Sequence, residues 1–341
     1  FEPPVLIDEI QYAPELLPHI KMAVDSAHRP GMFWLTGSQP FHLMQGVSES
    51  LAGRVAVVQL LGFSRREAEG KGQETVPPFL PTEAVLNERR ATAAPLDVPG
   101  VYELIWRGSF PAMTANPQMG RDLFYGSYLQ TYVQRDVRDL ARVGDEMAFL
   151  RFVRAAAART GQLLNLAELA RDADVAPNTA KSWLSILEAS GLVYLLPPWH
   201  SNVTKRLVKT PKLYFLDTGL CAYLTQWSSP QTLEAGAMSG AIFETWVVGE
   251  LLKSYWHQGL QAPFFYYRDK DRREIDLLIE SDGVLYPVEI KKSASPSGDA
   301  LRGMAALERL GVACGPGAVI CMVSQMLPLG RRVTAVPAGS L

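Results

Sequence analysis

An acid and a lysine two residues apart close an apolar run late in the chain: Glu289-Ile290-Lys291, within residues 284–293. Thirteen residues before Glu289 stands Asp276, in the stretch Arg273-Glu-Ile-Asp-Leu-Leu-Ile279. Paired carboxylates are hard oxygen ligands of the kind that hold Mg²⁺ or Mn²⁺. A metal held there activates water and stabilises charge on a phosphodiester, with the lysine orienting or deprotonating that water. Asp276, Glu289 and Lys291 are therefore the predicted catalytic trio, and Asp276 and Glu289 the predicted metal ligands. Residues two apart on a strand share a face, so Glu289 and Lys291 meet while Lys292 points the other way. The bland alternative is a surface ion pair on a sheet edge. Apolar Val288 and Ile290 weigh against it, because a charged pair in a core strand is desolvated unless it is used or satisfied.

The elements that must position these side chains are legible around them. Three strands are expected, over 263–268, 274–279 and 284–291, with Asp282-Gly283 as the hairpin signal between the last two. Before them a helix over 239–253 puts Phe243, Val247 and Leu251 on one face, with Glu244 beside that face as a further predicted metal ligand. A helix over about 298–310 and an apolar strand over 318–323 follow.

The opposite end of the chain offers a second acid pair. Pro4 to Gln11 is a continuous apolar strand ending in Asp8-Glu9, as in a parallel sheet covered on both faces. Asp8 is placed to hold Mg²⁺ and Glu9 to polarise an attacking water, although acids also favour any helix N-terminus. A second apolar strand, 31–39, ends in Thr36 and Ser38, either of which is placed to sense a γ-phosphate. Arg54 is a candidate phosphate-sensing arginine or a solvated loop residue, and a third strand is expected over 55–60. The chain opens on Phe1 and runs at once into a strand, which reads as the loss of something upstream.

Between the two ends, residues 71–99 read as a loop or insertion rich in proline, alanine and charge. Residues 117–160 have helical periodicity, with Phe124, Tyr128, Tyr132 and Val133 as the apolar stripe and Arg135, Asp136, Arg138 and Asp139 as solvated pairs. Residues 165–197 read as two helices and a strand: Asn165 caps the first, Gly191 stops the second, and 192–196 form a wing. In a DNA-binding version the second helix enters the major groove by its N-terminal residues, here Asn178, Thr179, Lys181 and Ser182. The same arrangement also serves as a protein-interaction or structural module. A modest basic cluster, Lys205, Arg206, Lys209 and Lys212, follows the wing.

Leu6-Ile-Asp-Glu-Ile-Gln11, Leu35-Thr-Gly-Ser-Gln39 and Gly53-Arg54 resemble the Walker B, sensor 1 and arginine regions of a group of prokaryotic AAA+-type ATPases with a C-terminal domain of unknown function. Arg107-Gly-Ser-Phe-Pro111, the stretch from Ser127 to Asp136 and Phe215-Leu-Asp-Thr-Gly219 resemble that group's later motifs. The order helix, three strands, helix, strand resembles the PD-(D/E)xK nuclease core, with Glu244, Asp276, Glu289 and Lys291 at its acid and lysine positions. The resemblance implies ATP and Mg²⁺ as ligands of an intact parent, and self-association through the ATPase part. One departure stands out. The phosphate loop, Gly-x-x-x-x-Gly-Lys-Ser/Thr, is absent: the sole Gly-Lys pair, Gly70-Lys71, precedes Gly72.

The predicted fold is accordingly α/β. It comprises a partial parallel-sheet P-loop ATPase core (1–95), a helical lid (96–160), a winged helix-turn-helix (161–212) and a PD-(D/E)xK-like α/β domain (213–341). The expected function is that of an ATPase fragment coupled to a DNA-associated, nuclease-like domain, and the alternative is a non-catalytic DNA- or protein-binding regulator. A net charge of −2 gives no global attraction for nucleic acid, so such contact must be local. No apolar run approaches the ~20 residues of a membrane span. Three scattered cysteines fit reduced thiols in the cytoplasm better than disulfides or a zinc site.

Overall fold

In a computed structural model of the chain, the described residues are 2–37, 50–74, 76–93, 96–132, 146–200, 210–269, 271–296 and 298–341. The N-terminal part is small. β1 (Val5–Ile7) and β2 (Phe33–Leu35) pair in parallel, Val5 against Phe33, and α1 (Leu16–Ala27) makes the crossover. Ile10, Leu17, Ile20 and Leu51 form a core of their own beneath them. Leu6 is 68% exposed and Trp34 64%, so the other face of this pair is bare. The strand expected over 55–60 is not formed: the segment is irregular, and Leu60 is 83% exposed. A strand persists only by pairing with a neighbour, and among the described residues none pairs with this one.

Most of the rest shares one apolar core, from Phe79 to Leu341, with two smaller clusters on the C-terminal sheet around Val319 and around Leu278. α2 (Arg65–Ala68) begins in a capping box in which Ser64 and Glu67 satisfy each other's backbone amides. α3 (Glu83–Thr92) lies inside the stretch expected to be a loop. Its run of good helix formers decides the matter locally, and Leu86 and Arg89 are buried. α4 (Val98–Arg107), α5 (Pro111–Ala115), α6 (Arg121–Tyr132) and α7 (Glu146–Ala157) follow. On α6 the fully buried face is Tyr125, Leu129 and Tyr132, while Phe124 and Tyr128 are half-buried. The expected stripe is thus rotated by one residue, and Val133 with the four charges beyond it lies outside the described residues.

Next come β3 (Gln162–Leu163), α8 (Leu166–Ala173), α9 (Pro177–Ala189), β4 (Val193–Leu196) and β5 (Lys212–Phe215). Asn165 caps α8 as expected, its side chain accepting from the Glu168 amide at 3.2 Å. The three strands form an antiparallel sheet in the order β3-β5-β4, and the boundary at 212/213 falls inside β5.

α10 (Thr218–Leu224), α11 (Pro230–Ala235) and α12 (Ser239–Trp256) lead into β6 (Phe264–Arg268), β7 (Glu274–Ser281), β8 (Val284–Lys291), α13 (Arg302–Glu308), β9 (Gly317–Cys321), β10 (Leu327–Pro328) and β11 (Val333–Pro337). These strands make a six-stranded sheet in the order β10-β11-β9-β8-β7-β6. β6, β7 and β8 are antiparallel, whereas β8, β9 and β11 run parallel. The expected order of helix, three strands, helix and strand is present, and β10 and β11 extend it. α12 is buried nearly all round rather than along one face, because α4, α10, α11 and β8 pack on it.

Two of the sequence motifs meet α6 at one carboxylate. Asp217 caps α10 by accepting from the Leu220 amide at 2.7 Å. It also accepts from the Ser109 amide at 2.7 Å, the Ser109 hydroxyl at 3.0 Å and the Tyr125 hydroxyl at 2.9 Å. Gly219 sits so close that a Cβ there would lie 2.2 Å from the Tyr125 oxygen. The Arg107–Pro111 turn, α6 and the 215–219 turn are thus one structural joint. Among the described residues no helix is long and apolar enough to cross a membrane.

Candidate functional site: an acid–lysine cluster at a basic cleft

The register of β7 and β8 pairs Leu277 with Val288, so one step further Asp276 faces Glu289. There the strands part, and the Asp276 carboxylate fills the gap by accepting from the Ile290 amide at 2.9 Å. Lys291 reaches back between the acids, with its Nζ 2.9 Å from Asp276 and 2.8 Å from Glu289. The predicted trio is therefore assembled. Gly303 on α13 makes room for it: a Cβ there would lie 2.4 Å from the Glu274 carbonyl oxygen and 3.1 Å from Glu289 Oε1.

Glu244 approaches from α12, but it does not join the other two around an empty centre. Lys212, the first residue of β5, inserts an ammonium 3.1 Å from Glu244, 2.6 Å from Glu274 and 3.9 Å from Asp276. Tyr214, two residues on and on the same face, donates to Glu244 at 2.6 Å. The result is a chain of alternating acids and amines, Glu244–Lys212–Asp276–Lys291–Glu289, with Glu274 at its side.

The electrostatics follow from burial and from these neighbours. Burial, reinforced by the charge of Asp276, pushes Glu289 up to about 9. Burial also raises Glu244, with Asp276 adding to it. For Asp276 burial acts in the same sense but is outweighed, and Lys291, Lys212 and the Ile290 amide hold its carboxyl below the usual aspartate range. Burial works against charge on both lysines, yet the acids around them lift each above an ordinary lysine. Among the described residues no three His, Cys, Asp or Glu side chains stand where they could hold one metal ion. The donor set fits this, since one oxygen each of Glu244, Asp276 and Glu289 is already bound to an ammonium group, with a phenol on Glu244 and an amide on Asp276 besides.

The cluster opens on a cleft of about 500 Å³, lined by Arg272, Arg273, Lys291 and Arg302 together with Glu274, Glu289 and Gly303. Arg273 also faces Asp269 at 3.7 Å and Asp271 at 3.6 Å.

The other predicted residues are dispersed. Thr36 donates its hydroxyl to Asp8, which joins the ends of β1 and β2, and both side chains are exposed. Glu9 holds a left-handed backbone, φ 51°, uncommon for a residue with a Cβ, and its carboxylate accepts from the side-chain Nε2 of Gln11. Arg54 pairs with Asp25 of α1, at 3.1 Å for one of its contacts. Ser38 lies outside the described residues, as do Lys205, Arg206 and Lys209. On α9, Asn178, Lys181 and Ser182 are exposed and Thr179 is half-buried, while Trp183, Leu184 and Leu187 face the core.

Sequence reasoning missed Glu274, Arg272 and Arg302, and it read Lys212 as part of a modest basic cluster after the wing. The sequence carries only a partial signal: Lys212 and Tyr214 alternate within the otherwise apolar run Pro211-Lys-Leu-Tyr-Phe-Leu216, which puts both on one face without saying what that face meets.

Three family models match the chain: an AAA domain over residues 2–69, a domain of unknown function (DUF8612) over 99–231, and a second domain of unknown function (DUF4143) over 239–341. The first makes the N-terminal segment AAA-like. No solved structure matches. Uncharacterized protein Rv2008c of Mycobacterium tuberculosis and uncharacterized protein Mb2031c of Mycobacterium bovis are each 31% identical over 343 residues, covering 99% of this chain and 69% of theirs. An AAA-type N-terminal segment followed by these two domains, with 99% of the chain aligned to both mycobacterial proteins, makes the chain a member of the family of Rv2008c and Mb2031c.

Proposed function

We propose that the chain is part of an ATP-binding AAA-type ATPase whose C-terminal half engages DNA. In this reading α8 and α9 with strands β4 and β5 form a winged helix-turn-helix. α12, β6–β8, α13 and β9 form a PD-(D/E)xK nuclease-like unit. The observation that carries the reading is the cleft, where Arg272, Arg273, Lys291 and Arg302 gather at one mouth. Clustered arginine and lysine are the chemistry that a phosphate backbone selects. The exposed Asn178, Lys181 and Ser182 supply a second contact at the N-terminus of α9.

In the nucleotide-binding part, Asp8 would hold Mg²⁺ through water and Glu9 would polarise the attacking water, with Thr36 beside them. The chain contains no phosphate loop, so it holds ATP weakly by itself. Calorimetry that returned a micromolar ATP affinity for this chain would contradict that statement.

A binding, regulatory role is the form of DNA engagement that the site chemistry favours, because two ammonium groups already neutralise its acids. Cleavage is the second reading, favoured by the convergence of Asp276 and Glu289 on Lys291. Incubating the protein with labelled duplex and single-stranded DNA in Mg²⁺ or Mn²⁺ separates the two. The expected result is retention on a native gel with the strands intact on a denaturing gel. Scission that disappears in Asp276→Ala establishes cleavage, and no retention at low salt removes DNA as the ligand.

A further inference from the structure

Lys212 is the least exposed cation of the acid cluster, with 3% of its surface accessible. Its backbone is fixed on both sides, opposite Leu163 of β3 and Leu196 of β4. The residues before it are tied down as well. The Pro211 carbonyl accepts from the Leu164 amide at 2.9 Å, and the Thr210 carbonyl accepts from the Tyr266 hydroxyl. Its ammonium lies among carboxylates from two elements, Glu244 of α12 and Glu274 and Asp276 of β7.

We propose that Lys212 is the resident cation of this cluster: its ammonium occupies the place of a divalent metal, and the centre takes up no metal while Lys212 is seated. The geometry supports this in two ways. First, a hard divalent ion binds through carboxylate oxygens, and here Glu244 Oε1 already accepts from Lys212 and Tyr214. Asp276 Oδ2 already accepts from Ile290 and Lys291. Second, an ion placed against Asp276 Oδ1 would stand next to the Lys212 ammonium, 3.9 Å from that oxygen, and like charges at such range repel strongly away from bulk water. Because a lysine is part of the fold, this cation cannot be lost to a chelator. The cluster thereby keeps a nuclease-like shape with its acids neutralised. The inference rests on the nuclease-like reading only for the expectation of a metal.

The test reads metal binding without DNA, so a failure of DNA binding leaves it standing. Mn²⁺ is titrated into the whole chain carrying Asp8→Asn, which removes the N-terminal acid from the count. Bound Mn²⁺ is followed by electron paramagnetic resonance. The expected result is no stoichiometric site in this parent and one new site in Lys212→Gln, lost again when Asp276→Asn is added. The melting temperature of Lys212→Gln should rise with Mn²⁺ while that of the parent stays put. A site in the parent that vanishes on Asp276→Asn overturns the proposal, and so does a folded Lys212→Gln that gains none. If Lys212→Gln fails to fold, Lys212→Met takes its place. The parent also decides alone: silence supports the proposal, and an Asp276-dependent site refutes it.

Discussion

Asp8, just past an apolar strand, and Asp276, within one, each have a second acid close by, yet their surroundings are opposite. Asp8 follows directly on a strand of a two-stranded sheet, is exposed, and is held by a threonine hydroxyl and the Glu9 amide. Asp276 sits in a six-stranded sheet beneath α12, buried, with a lysine on either side. The difference is one of completeness. An acid can be held charged and rigid only where neighbouring elements supply cations and exclude water. The C-terminal sheet has those elements, whereas the N-terminal pair has a bare face and an unformed third strand.

The largest expected effect breaks this contrast directly. Asp276→Ala removes the acid shared by the buried Lys212 and the partly exposed Lys291 and should cost about 3–5 kcal/mol in urea unfolding. Asp8→Ala, at the surface, should stay within about 0.5 kcal/mol. Equal losses would erase the distinction. Gly303→Ala comes next. Its methyl meets backbone in the 274 strand, and about 1–3 kcal/mol should be lost. Gly298→Ala, with nothing within 4 Å, is the control.

The pH dependence gives a third probe. Burial and the neighbouring Asp276 raise the carboxyl of Glu289 to about 9, well above the usual glutamate range. The stabilisation that comes with its protonated form is therefore complete below the unfolded value and is lost as pH climbs towards the folded one. Unfolding midpoints from pH 5 to 9 should fall for the wild type relative to Glu289→Gln, by up to about 1.4 kcal/mol per pH unit. A constant difference would mean that Glu289 is ionised throughout. The smallest effect is Arg54→Ala: this exposed pair with Asp25 should leave the melting temperature unchanged.

Much of the C-terminal site was legible because strands have period two. Glu289 and Lys291 share a face, and the Asp282-Gly283 turn sets a register that brings Asp276 opposite Glu289. Lys212 was not legible as a member of the site. It arrives from a different sheet, and no local pattern reveals which strand will pass over an acid cluster 60 residues later. The segment 55–60 misled for the converse reason: its residues favour a strand, but strand formation depends on a partner. α6 was found but rotated, because the tie between Tyr125 and Asp217 is long-range. The helix over 83–92 was overlooked because proline and charge around it masked a good helix-forming run.

The central claim is that the basic cleft beside the acid–lysine cluster binds a nucleic-acid backbone, and the slope of log affinity against log salt tests it most directly. Fluorescence anisotropy with a short duplex is compared for the wild type and for the combined variant Arg272→Ala, Arg273→Ala and Arg302→Ala. The account predicts a steep negative slope for the wild type, shallower by about 2–3 in the variant, since each phosphate contact contributes roughly 0.9. Identical slopes for the two proteins would contradict it.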